Sequence, residues 1–405
     1  MSGVRHLALL MRSLNGGGIE RMTLNLARAF TERGYRVDLV VARPRGPLAG
    51  QVPEEVRLIR LSPSSRLEAL RALGAARASR VAWPLLLGPC PLMLRRLPAL
   101  VRYLRRARPD ALLAAGTQSN LAALWARSAA GIATRIVISE RNTMSRVVRG
   151  AGRGFRRRYP SLAACSYPQA DAVVAVSGGV ADDLAATAGL PRAGIRVIHN
   201  PVLSAARIAC GVSPRPEGDR PPLVLSAGRL HRQKDFPTLL RAFARVRTAR
   251  SARLIILGDG PLRRSLRSLA ARLGVADDLT LPGFVDEPMA WMTAASVFVL
   301  SSAWEGFGNV LCEALACGCP VVSTDCPSGP GEILDGGAYG TLVPVGDDVA
   351  MAGAILATLD ARLDRGRLRR RATAFSVDAA AERYLDALLQ PRAHTRGPTP
   401  SSVGA

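Results

Sequence analysis

Of the 55 lysines and arginines in this chain, only Lys234 is a lysine. Against so strong an arginine habit, a lone lysine marks a place where a compact ammonium serves and a planar guanidinium does not. It stands in Ser226-Ala227-Gly228-Arg229-Leu230-His231-Arg232-Gln233-Lys234-Asp235, directly after the apolar run Leu223-Val224-Leu225. A strand ending in a glycine turn, with Arg229 and Lys234 at its mouth, can clamp a diphosphate. A second constellation, Trp304-Glu305-Gly306-Phe307-Gly308-Asn309-Val310-Leu311-Cys312-Glu313, follows the apolar run 296–301. Gly306 and Gly308 let the backbone approach a ligand closely. A helix is expected to begin near Asn309, its free amides facing the loop, with Glu313 about one turn inside it. Glu305 and Glu313 can then accept hydrogen bonds from one ligand at two levels, as suits a sugar and a ribose joined by a pyrophosphate. A third element, Gly16-Gly17-Gly18, lies between the first apolar run and an expected helix over 19–31. Backbone amides and the helix dipole make such a turn an anion pocket, although the spacing is not G-x-G-x-x-G.

The elements that must hold these loops repeat along the chain. Continuous apolar runs predict strands at Val4–Met11, Arg36–Val41, Ala111–Ala115, Arg135–Ser139, Ala172–Val176 and Arg196–Ile198. A second series is expected at Leu223–Ser226, Arg253–Leu257, Ser296–Leu300 and Pro320–Ser323. Unbroken rather than alternating hydrophobicity is the mark of parallel strands buried on both faces. Strand–helix repetition over 405 residues therefore predicts two doubly wound α/β units. Residues 200–220, rich in Pro, Gly and charge after His199-Asn200-Pro201, read as the linker, Ala372–Leu389 as a last amphipathic helix, and 390–405 as a loose tail.

The formal net charge of +24 favours anionic partners. Eleven arginines against Glu68 alone lie between Arg60 and Arg108, and seven with no acid between Arg141 and Arg158. Both stretches fall in the first half. A nucleic-acid partner is not expected, because no recognised module is present and few aromatics stand near the arginines for stacking. The segment Leu85–Tyr103 reads either as an amphipathic surface for anionic lipid or as an ordinary helix packed on the first sheet with snorkelling arginines. No apolar run reaches membrane-spanning length and no cleavage-type signal follows the first strand, so a cytoplasmic protein, peripheral at the inner membrane face, is expected. Cys312, Cys317, Cys319 and Cys326 crowd one segment without the spacing of a zinc knuckle and are expected to be small buried thiols. No Asp-x-Asp occurs, and no metal or other cofactor is expected.

Ser226–Lys234, Gly258-Asp259-Gly260-Pro261, Gly283-Phe284-Val285 and the Glu305-x7-Glu313 element resemble, in this order, the retaining glycosyltransferases of the GT-B fold. That resemblance implies two Rossmann-like domains facing a central cleft: 1–200 on the acceptor side, 201–372 for the nucleotide-sugar donor, and 373–390 a helix returning to the first domain, before a tail at 391–405. It implies that Arg229, Lys234 and Glu305 carry catalysis, the two cations on the donor diphosphate and Glu305 facing the donor sugar. The donor site would further comprise Gly17, Gly18, Gly283, Phe284, Val285, Gly306, Phe307, Gly308, Asn309, Val310 and Glu313, with Glu313 on the ribose and 283–285 on the base. Similar enzymes carry a His where this chain has Glu140 and Arg141, which places those two on the acceptor side. Ser328-Gly329-Pro330-Gly331-Glu332 is similar to a Ser-Gly-Pro-Arg-Glu version that uses UDP-sugars, with Gly331 replacing the arginine. The expected reaction moves a hexose or N-acetylhexosamine from a UDP-sugar to a saccharide or polyprenyl-linked acceptor. A nucleotide-sugar 2-epimerase of the same frame is the alternative.

Overall fold

A computed structural model describes residues 5–15, 17–78, 91–150, 154–210 and 221–390. Val4, Gly16, the first part of Leu85–Tyr103, residues 211–220 of the linker and the tail at 391–405 lie outside the described residues. Thirteen strands form two sheets among these residues, and every paired strand runs parallel to its neighbour. The first sheet holds β1 (His6–Ser13), β2 (Arg36–Arg43), β3 (Arg57–Arg60), β4 (Ala111–Ala115), β5 (Arg135–Glu140), β6 (Ala172–Ala175) and β7 (Ile195–Val197), in the order β3-β2-β1-β4-β5-β6-β7. The second holds β8 (Leu223–Ala227), β9 (Arg253–Leu257), β10 (Leu279–Gly283), β11 (Val297–Leu300), β12 (Val321–Thr324) and β13 (Thr341–Val343), in the order β10-β9-β8-β11-β12-β13. Leu7 to Met11 are without solvent exposure, as a central parallel strand requires when helices cover both faces of its sheet.

The strand order reverses direction beside β1 in one sheet and beside β8 in the other. In open α/β sheets the ligand crevice opens there, beyond the carboxyl ends of the strands. The loops leaving β1, β4, β8 and β11 are therefore the ones that can meet a ligand, and three of them carry the motifs singled out above.

The chain crosses between the units twice, side by side. The amides of Val202 and Leu203 both donate to the Phe375 carbonyl at 3.2 Å, and Val377 N donates to Leu203 O at 2.8 Å. The last helix, Val377–Leu389, then lies on the first sheet: Tyr384 Oη is 3.2 Å from Ser139 Oγ and Arg135 Nε donates to Ala387 O. It is shorter than expected, because Arg365–Ala372 forms a helix of its own and a 3-10 turn, Thr373–Phe375, separates the two. The helix Leu97–Ala107 buries Leu97, Leu100, Val101 and Leu104 in the core and leaves Arg102, Arg105 and Arg106 exposed. Its apolar face is thus spent on the protein, the second of the two readings of that segment. Cys312, Cys317, Cys319 and Cys326 are buried thiols outside any disulfide.

Candidate active site

At the end of β8, Gly228 turns the chain so tightly that an added Cβ would stand 2.9 Å from Lys234 Cε. Asp235 follows in the left-handed region (φ 42) and opens the helix Phe236–Ala249. This geometry throws Lys234 back over the strand end, where its Nζ lies 2.5 Å from Glu305 Oε1. Ser302 Oγ donates to the same carboxylate oxygen at 2.6 Å. The loops after β8 and β11 are stitched together by Ala303 N donating to Gln233 O, Gln233 Nε2 to Trp304 O and Ser301 Oγ to Lys234 O. Lys234 and Glu305, read separately in the sequence, are one ion pair, with side chains 16% and 8% exposed. Arg229 is exposed beside them and has no ion-pair partner among the described residues.

Gly308 takes φ +100, which the helix Asn309–Ala316 needs just before its first turn and which a β-carbon would strain. Opposite it, the helix Gly18–Glu32 begins from the first unit, close enough that a Cβ on Gly18 would lie 3.4 Å from Asn309 Nδ2. Two helix N-termini thus face each other across the cleft, both with partial positive charge. Glu20 folds back over Gly17, held by Ser13 Oγ at 2.9 Å. Arg141 closes the same space. Its Nη1 donates to Asn200 Oδ1 at 2.9 Å, and Asn200 Nδ2 donates to Asn309 Oδ1 at 2.8 Å. Arg141 is 5% exposed, yet its Nε and Nη2 are buried without a hydrogen-bond partner among the described residues.

Glu313 sits one turn inside its helix, as expected, and pairs with Arg207 at 3.2 Å. Burial pushes its carboxyl up, against the pull of Arg207 and Arg21. Val310 is half-buried beside the loop. Phe307 is buried, its ring 5.1 Å from that of His199, so its side chain serves the junction between units. Gly283 (φ +97) accepts from Gly258 N at 2.7 Å, Phe284 is exposed and Val285 half-buried.

On the first unit a cavity of about 230 Å³ opens at the ends of β1 and β4, lined by Arg12, Glu20, Thr117, Gln118, Arg156 and Tyr159 among others. Glu140 lies behind this lining rather than in it. Thr117 Oγ1 donates to its Oε2, while Asn120 and Tyr167 donate to its Oε1. Burial pushes the Glu140 carboxyl up to about 7, beyond what those three hydrogen bonds recover. An acid whose folded pKa is raised stabilises the fold at low pH, and that contribution is lost as pH climbs from its unfolded value near 4.3 to about 7. Glu140→Gln removes this dependence. The variant's stability relative to wild type is expected to rise between pH 4 and pH 8 by about 3 kcal/mol, measured by thermal unfolding at both values; a difference independent of pH would refute the assignment.

Sequence reading missed how the units engage. Glu332 reaches across to the first unit: it accepts from Gly178 N at 2.8 Å and Gly179 N at 3.2 Å, at the start of the helix Gly178–Ala188. His199 Nε2 lies 3.3 Å from it. Burial alone would raise this carboxyl, but His199 and the two amides outweigh it and leave the pKa below the usual range. Arg207, Ser302 and Asn200 also went unread as site residues. Only Asn200 carried a signal, in His199-Asn200-Pro201.

The family model described as Glycosyl transferases group 1 matches residues 221–361, and that described as Glycosyltransferase Family 4 matches residues 16–203. The chain is a GT-B glycosyltransferase. The N-acetylgalactosamine-N,N'-diacetylbacillosaminyl-diphospho-undecaprenol 4-alpha-N-acetylgalactosaminyltransferase of Campylobacter jejuni is 27% identical over 396 residues, 95% of this chain and 100% of that protein. The lipopolysaccharide outer core galactosyltransferase WaaB, in its apo form, shares the fold with a TM-score of 0.73 at 21% identity, over 95% of this chain and 99% of that one. The Anabaena protein HepE in complex with UDP does so with a TM-score of 0.69 at 20% identity, over 95% and 99%. In this glycosyltransferase the motif loops stand at the switch points of both sheets. Among its described residues no group of three or more His, Cys, Asp or Glu is placed to hold a metal ion, and no helix is long and apolar enough to cross a membrane.

Proposed function

We propose that this glycosyltransferase moves a hexose or N-acetylhexosamine from a UDP-sugar, with retention at the anomeric carbon, to a saccharide or polyprenyl-linked saccharide in cell-surface glycan assembly. The observation that carries the reading is the Lys234–Glu305 pair at the switch point of the second sheet, facing two opposed helix N-termini. Breaking a glycosyl–diphosphate bond develops positive charge at the sugar and negative charge on the departing phosphate. Fixed cations on the phosphate side lower that barrier most. Lys234 and Arg229 supply them, with the amides of 306–310 adding dipoles and no metal called for. Glu305 leaves Lys234 to meet the donor sugar, Glu313 takes the ribose hydroxyls in place of Arg207, and 283–285 border the base. Arg141 brings two unsatisfied donors to the same space. A buried guanidinium without a carboxylate is costly unless a ligand supplies the acceptor.

The acceptor side is the cavity of Thr117, Gln118, Arg156 and Tyr159. A separate acceptor pocket supports transfer over isomerisation of one nucleotide sugar, the 2-epimerase reading. The net charge of +24 and the relative acting on a diphospho-undecaprenol saccharide support a cytoplasmic enzyme, peripheral at the inner membrane face. The test is a panel of UDP- and GDP-sugars with lipid-linked and free saccharide acceptors, read by mass spectrometry and by NMR of the new linkage. Added hexose or N-acetylhexosamine in the donor's anomeric configuration is expected. A new sugar isomer from UDP-sugar alone would replace this reading with the epimerase.

A further inference from the structure

The loop Ser328-Gly329-Pro330-Gly331-Glu332 follows β12, and the helix Gly178–Ala188 follows β6. Both therefore start from the carboxyl edges of their sheets, the edges that face the cleft. The free amides and dipole of such a helix N-terminus attract an anion. Here the anion is a side chain of the opposite unit. The amides of Gly178 and Gly179 donate to the two carboxylate oxygens of Glu332, and Val180 N donates to Ser177 Oγ at 3.2 Å. The backbones meet closely at this point: a Cβ on Gly179 would stand 2.7 Å from Ser328 Oγ and 2.8 Å from Ser328 Cα. Ser328 itself holds φ 75, a conformation that survives at a non-glycine residue only where its surroundings impose it. Glu332 is also aimed from behind. Arg371 donates to Glu332 O at 2.6 Å and to Ile333 O at 3.0 Å. His199, packed between the rings of Phe307 and Phe375, brings Nε2 to 3.3 Å from the carboxylate. Beside this contact Ser177 Oγ donates to Gly306 O at 2.8 Å, so the same helix start also holds the loop that carries Glu305.

We propose that Glu332 is a positioning residue for sugar transfer. By capping the helix Gly178–Ala188 from the opposite unit, it sets the spacing between the Lys234 clamp and the cavity at the ends of β1 and β4. The hydrogen bonds are charge-assisted and two-pronged, so they fix an orientation as well as a distance. Lys234, Arg229, Glu313 and 283–285, the groups proposed to hold the nucleotide, all belong to the second unit. Nucleotide affinity is therefore insensitive to this contact. Turnover needs groups from both units, and a displacement of about an ångström between them is enough to slow it severely. The inference rests on transfer between two units and not on which sugar or acceptor is used.

The contact can be broken from either side. Glu332→Gln keeps the shape but turns an NH2 group toward one of the two amides. Gly178→Pro removes the amide donor at the first helical position, where proline fits, after Ser177, whose backbone is already extended (φ −155, ψ 160). Full-length wild type, both single variants and the double variant are compared by UDP calorimetry, small-angle X-ray scattering and kcat. The last is read as UDP released with the donor–acceptor pair that the panel above identifies. UDP affinity is expected to stay within about twofold of wild type, while kcat falls at least about tenfold in each single variant. Scattering should show a larger radius of gyration. The double variant should be no slower than the slower single, because both changes break one contact. Wild-type kcat and scattering in Glu332→Gln would overturn the proposal, as would losses that multiply in the double variant. A matching loss of UDP affinity would instead make Glu332 part of the nucleotide site and overturn it too. If UDP does not bind wild type, the substrate reading fails, and the scattering comparison still decides this one.

Discussion

Lys234→Ala is expected to lower kcat for sugar transfer by about a hundred- to a thousandfold, the usual loss when one fixed stabiliser of developing negative charge is removed. The loss should fall on kcat more than on donor affinity, because the charge on the leaving phosphate peaks in the transition state. The same substitution strands the Glu305 carboxylate, 8% exposed, without its cation. Removing one partner of a buried pair typically costs about 3–5 kcal/mol, so a fall in Tm should accompany the fall in rate. The two effects separate in the double variant Lys234→Met/Glu305→Gln, which keeps the volume and removes both charges. Stability should return largely to wild type while transfer stays at the level of the single variant or below. Recovery of both would mean that Lys234 serves only to neutralise Glu305. Lys234→Arg should not rescue activity, since Gly228 packs where a larger head would have to lie.

Gly306→Ala is expected to cost about a hundredfold in kcat/KM with little change in Tm. An added Cβ at Gly306 would stand 2.2 Å from the carbonyl oxygen of Arg141, a backbone atom of the other unit. Nothing flexible can yield there, so the loop after β11 and the end of β5 must move apart. Each unit keeps its own core, but Ser177 Oγ can no longer reach Gly306 O, now 2.8 Å away. The ring of Arg141, Asn200 and Asn309 opens with it. A displacement of an ångström between reacting groups is enough for a loss of this size. Steady-state rates with unfolding curves test this, and a variant with wild-type kcat/KM would show that the contact between 306 and 141 does not take part in turnover.

The central strands were legible because each is a short unbroken apolar run. The three that went unread, β3, β10 and β13, are all edges of their sheets. Arg57-Leu58-Ile59-Arg60 is bounded by charge and Leu279–Gly283 contains Pro282, as befits strands that must discourage further pairing. At the site, residue types and turns were readable because glycine and lone charges are local signals. Pairings were not. Lys234 meets Glu305 across 71 residues, Arg207 meets Glu313 across 106, and Glu332 meets Gly178 across 154. The first depends on β11 lying beside β8 in one sheet, and the last on how the two sheets are set against each other, neither of which a local pattern encodes. Glu140 shows the converse. It was read from the resemblance, as standing where similar enzymes carry a His, but burial behind Thr117 makes it a support of the cavity at the ends of β1 and β4 rather than part of its wall.

The structure of this enzyme with UDP bound tests the central claim most directly. The account predicts the pyrophosphate within about 3 Å of Lys234 Nζ and the Arg229 guanidinium, the ribose hydroxyls on Glu313, the base against 283–285, and Glu305 released from Lys234. A diphosphate lodged elsewhere, with the Lys234–Glu305 pair intact, would contradict it.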